Sequence, residues 1–108
     1  MAEIKVGIEG EAAEAAAEAL VNIPGVTGSY EELQQKETVG AAIATIIGIV
    51  GSAVALAEQI RKWYQEWQDK PSNKEFHVVI YDPETGNRVL LKNASVEKIT
   101  EILKSLSK

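Results

Sequence analysis

The stretch 39–57, VGAAIATIIGIVGSAVALA, holds nineteen consecutive uncharged residues in a chain of 108. Its length reaches the range in which a helix can span a bilayer. Small residues recur at every fourth position, Gly40, Ala44, Gly48 and Ser52. That interval lines them up on one face of a helix, where another backbone can come close. Thr38 offers an N-cap, helical character carries on to Asp69, and the Pro-Ser-Asn run at 71–73 would stop it. One apolar helix over about 38–69 is therefore expected, serving as a membrane span, a core helix or an assembly helix.

Working outward, the segment 3–9 alternates, with Ile4, Val6 and Ile8 on one side and Lys5, Gly7 and Glu9 on the other, as in a half-buried strand. The Ala- and Glu-rich segment 11–21 has high helix propensity and ends at Pro24-Gly25. A short strand starting at Val26 and fading into a polar loop follows. Beyond the long helix, Phe76, Val78 and Ile80 alternate again, the turn-rich 82–87 (DPETGN) follows, and 88–92 returns as a strand. Ser95 caps a last amphipathic helix with a stripe of Val96, Ile99, Ile102, Leu103 and Leu106, so hairpin and helix occupy about 75–107. The expected order is β-α-β-α-β-β-α, a single α+β domain over 1–108 built as a two-layer, ferredoxin-like sandwich of four strands with helices on one face.

A helix over 38–69 would be about 45–50 Å long, whereas a six-residue strand covers only about 20 Å. It must bend near Gly48 and Gly51 or project beyond the sheet. Placed at 100° intervals, its large residues (Ile43, Ile46, Ile47, Val50, Val54) form one face. Its back is small in the first half and polar in the second. The candidate contact residues on this helix are Gly40, Ala44, Gly48, Gly51, Ser52 and Ala55, with Trp63 and Trp67. A bilayer span is disfavoured because strands on both sides of the segment must meet in one sheet, and it stays open as an alternative through conditional insertion.

Composition narrows the function class. Apolar residues make up 45% and charged residues 25%, the balance of a globular domain. A net charge of −5 argues against nucleic acid, which needs a basic surface. With no Cys there are no disulfides or thiolate metal sites, which fits a reducing compartment; no basic region followed by an apolar run opens the chain, so a cytoplasmic location is expected. The Asn93-Ala94-Ser95 sequon reads as chance. His77 is the lone histidine and sits in a strand pattern; Gly7 and Gly10 lack the further glycines or the lysine of a phosphate loop; Glu9, Glu11, Glu14 and Glu18 read as a solvated acidic face; and Asp82, Glu84 and Asn87 lack calcium-loop spacing. No catalytic set, cofactor or metal is expected.

The second half, GAAIATIIGIVGSAVALAEQI running into RKWYQEW, then FHVVIYD, PETGNRV, VLLKNAS and VEKITEILKSL, resembles the effector-associated constant components. These are small proteins found with bacterial NTP-dependent conflict systems beside peptidase or other effector modules. The resemblance implies a non-enzymatic adaptor of a bacterial conflict or antiviral defence system. Its partners would be an effector such as a peptidase, an NTPase-containing component, or further copies of itself.

Overall fold

The computed structural model describes residues 3–33, 41–70 and 76–106. Among these, a five-stranded antiparallel sheet carries three helices in an α+β arrangement. Strand β1 (Ile4–Glu9) realises its alternation, with Ile4, Val6 and Ile8 fully buried beneath the helices. Helix α1 (Ala13–Val21) turns Ala13, Ala16, Ala17 and Leu20 inward, the i, i+3, i+4, i+7 pattern of one helix face. Strand β2 (Val26–Leu33) is longer than the fading strand expected and forms one edge of the sheet.

The stretch 39–57 does not form one helix. Its described part is strand β3 (Ala41–Ile49), a turn at 50–52, and the start of helix α2 (Ala53–Gln68). The expected helix over 38–69 and the order β-α-β-α-β-β-α are thus corrected to β-α-β-β-α-β-β-α. The physical reason lies in side-chain branching. Ile43, Thr45, Ile46, Ile47 and Ile49 are β-branched and suit a pleated surface better than a helix. Because β3 carries apolar residues on both faces, its period of two is invisible in a hydropathy pattern, and a short apolar run cannot be told from a buried helix by periodicity. Gly51, at φ +101°, takes the left-handed conformation that breaks the chain direction. Ser52 then caps α2 by accepting the Ala55 N–H at 3.0 Å. The expected cap at Thr38 and the stop at 71–73 lie outside the described residues.

Strand β4 (His77–Tyr81) pairs with β1, and β5 (Arg88–Leu90) pairs with β4. The sheet order is β2-β3-β1-β4-β5. Five strands replace the four expected, and β5 stops at Leu90 because Leu91–Asn93 turns into a 3-10 helix. Asp82 shapes the β4–β5 loop: its carboxylate accepts the Glu84 N–H at 2.9 Å and its carbonyl accepts the Gly86 N–H at 2.8 Å. Helix α3 (Val96–Leu103), capped by Ser95, buries Ile99, Ile102 and Leu103.

All three helices lie on the same side of the sheet and share one core. Helix α1 packs on β2 and β3. Ala13, Ala16 and Ala17 on the helix and Ala42 and Ala44 on β3 are all buried, and small side chains on both elements permit a close approach. Trp63 of α2 donates its indole N–H to the Ala16 carbonyl at 2.9 Å, and Phe76 meets Trp63 edge-on and stacks on Tyr64. The Arg61 guanidinium donates to the Ala94 carbonyl and joins α2 to the approach to α3.

Candidate interaction surface

Strand register fixes what the other face of the sheet presents. One row across the strands reads Glu31, Ile43, Gly7, Val79, Leu90. The row on one side of it reads Ser29, Thr45, Lys5, Tyr81, Arg88, and the row on the other begins Leu33, Ala41, Glu9, His77. No helix among the described residues covers this face: Ile43 and Val79 are only half-buried, and Leu90 is 54% exposed. Ile47 is also 54% exposed; it falls where the β2–β3 register slips between Thr27 and Gly28, so that Thr27 pairs with Gly48 but Gly28 with Ile46. Gly7 leaves a dent at the centre, since a Cβ there would meet only the Val79 carbonyl oxygen at 4.0 Å. Gly7, Ile43, Val79, Leu90, Glu9 and His77 line a shallow depression of about 390 Å³.

The basic residues of this face share one flanking row. Lys5 extends across β3, donates to the Thr45 hydroxyl at 3.0 Å and lies 3.8 Å from the Glu3 carboxylate. Arg88 shares its row, while Glu9 lies two positions along β1 beyond Gly7. On the helix side of β2, Glu14 and Glu18 of α1 gather with Tyr30 and Glu32. A hydrogen bond with Glu32, then that carboxylate's charge, raises the Glu14 pKa above its ordinary 4.5. Burial and the same two α1 carboxylates raise Tyr30. Burial also raises Tyr64, opposed by Arg61.

The contact residues expected from a continuous helix fall in different places. Gly40 lies outside the described residues. Ala44 is buried in the core, Gly48 is half-buried in β3, Gly51 makes the turn, Ser52 is the cap, and Ala55 is exposed on the first turn of α2. Trp63 is buried, and Trp67 is half-buried with the Lys70 ammonium 4.9 Å from its ring centre. They form no single row. Ile43, Ile47, Val79 and Leu90 were not singled out as contact residues; the signal for two of them was the odd-numbered set Ile43, Thr45, Ile47 within β3.

A second apolar surface occurs at the β3–α2 turn, where Val50 is 81% and Val54 50% exposed. Among the described residues no group of three His, Asp or Glu side chains is placed to hold a metal ion, and no helix is long and apolar enough to cross a membrane. Comparison with protein-family models, with curated proteins and with solved structures finds no match to this chain.

Proposed function

We propose that this protein is a non-enzymatic adaptor that works by protein–protein contact and oligomerisation through the open face of its sheet. The observation that carries this reading is the apolar row Ile43, Val79 and Leu90, uncovered by any helix among the described residues, on the side of the sheet opposite the helices. Apolar surface rimmed by polar residues is a common form of protein contact site. The resemblance to effector-associated constant components supports placing the adaptor in a bacterial conflict system, beside a peptidase or an NTPase. The order β2-β3-β1-β4 supports reading the fold as ferredoxin-like, extended by β5 and α3.

The reading expects a peptidase or NTPase encoded beside this protein, and calorimetric titration against it tests the contact. Binding by the wild type and its loss in Leu90→Asp is the expected result. Equal binding by both, or binding by neither, would overturn it.

A further inference from the structure

We infer that the open sheet face is a weak homodimer interface, in which a second copy is turned over about a two-fold axis running across the strands along the middle row. The inference rests on the open face being a contact surface, and it names the first occupant. Such an axis keeps each strand over its own copy and exchanges the two flanking rows. Ile43, Val79 and Leu90 then face their own counterparts, as does the exposed Glu31 at the β2 edge, and Lys5 of each copy faces Glu9 of the other, twice by symmetry. Tyr81 faces His77 of the other copy, and Thr45 faces Ala41. Aligned sheet packing keeps strand directions within about 30°, so these rows stay opposed.

Other self-pairings set more like charges together and form no Lys5–Glu9 pair. An axis parallel to the strands would set Lys5 against Lys5 and Glu9 against Glu9, and would press Glu31 onto Leu90. Edge-to-edge pairing through β2 would bring together Glu31 and Glu32 of both copies, with Glu14 and Glu18 close behind Glu32. The opposite edge, β5, is three residues long. The axis along the middle row places apolar on apolar and forms two Lys5–Glu9 pairs, against a single Glu31–Glu31 contact at the exposed edge strand.

The size of the face sets the strength. Five strands about 4.8 Å apart and a few rows about 7 Å apart give a footprint of roughly 450 Å² per copy. A standard interface buries about 800 Å² per partner. The dimer is therefore weak and concentration-dependent.

Sedimentation velocity from about 10 µM to about 1 mM, with a thermal melt of each variant to verify folding, tests the arrangement. The wild type is expected to shift toward dimer as concentration rises. Lys5→Glu alone and Glu9→Lys alone should each weaken association roughly tenfold, since each alters both symmetric pairs. An equimolar mixture of the two variants should recover wild-type association, because the acidic side chain introduced at position 5 meets the basic one introduced at position 9 while the native pair forms at the other site. A wild type that stays monomeric, or a mixture that does not recover, overturns the inference. If Leu90→Asp abolishes the dimer while the charge variants do not, the face is a contact surface and the axis is wrong. If Leu90→Asp leaves the dimer intact, the face itself is not the contact.

Discussion

Gly28 shows how a single missing side chain admits the sheet's irregularity. A Cβ at this position would overlap the Thr45 carbonyl oxygen and sit 3.2 Å from the Ile46 Cα, both backbone atoms that cannot swing away. Gly28 adjoins the register shift between β2 and β3. Gly28→Ala is therefore expected to destabilise the protein by about 1–3 kcal/mol, measured by urea unfolding, as an overpacked site does. Unchanged stability would mean that the strands are not in this register. Glu14 supplies a pH-dependent counterpart. Its folded pKa lies above 4.5 through its hydrogen bond and repulsion with Glu32. The stabilisation from protonated Glu14 is complete below 4.5 and is lost as pH rises through the folded pKa. Glu14→Gln keeps a donor for Glu32 without the charge. It should melt higher than the wild type at neutral pH, with the difference vanishing below pH about 4.5. A difference that persists at low pH would place the effect elsewhere.

At the scale of elements, the sequence was legible wherever one face of an element was polar. β1, with Lys5 and Glu9 alternating against Ile4, Val6 and Ile8, could be read directly, as could α3 with its single apolar stripe. β3 could not, because a strand inside a sheet with one face on the core and the other nearly bare of charge lacks the polar positions that reveal its period. A bend near Gly48 and Gly51 within one helix, with Ser52 in its row of small residues, is the sequence expectation, whereas a left-handed Gly51 followed by a Ser52 cap is a helix start. The same difference decides the candidate surface, since Ile43 and Ile47 share a face with Ile46 in a helix but oppose it in a strand. Ser52→Ala tests the corrected boundary. It should cost about 1 kcal/mol and fray the first turn of α2, raising amide exchange at Ala55, whose N–H the hydroxyl accepts. No effect would fit a helix running through position 52, where Ser52 would be an interior residue. Trp63 joins two elements at once, and Trp63→Phe removes its bond to the Ala16 carbonyl. A loss of about 1–3 kcal/mol is expected from the missing hydrogen bond and reduced volume.

For the whole molecule, the position of β3 decides what the apolar stretch can do. β3 pairs with β2 along one edge and β1 along the other, and Ala42, Ala44 and Ile46 are buried beneath the helices. Delivering 39–57 to a bilayer as a helix would break both ladders and empty the centre of the core, which amounts to unfolding the domain. Amides of β3 should accordingly be among the slowest to exchange, opening only with global unfolding, while the β4–β5 loop exchanges early. Vesicles of neutral or anionic lipid should leave that protection unchanged, and the protein should not float with them. Loss of β3 protection on adding vesicles, with recovery of the protein in the floated fraction, would show that the stretch leaves the sheet to insert. It would replace contact through the open face with action at a membrane. Retained protection without flotation leaves β3 as the strand that holds Ile43 and Thr45 in register with Gly7 and Lys5, the arrangement on which a self-complementary face depends.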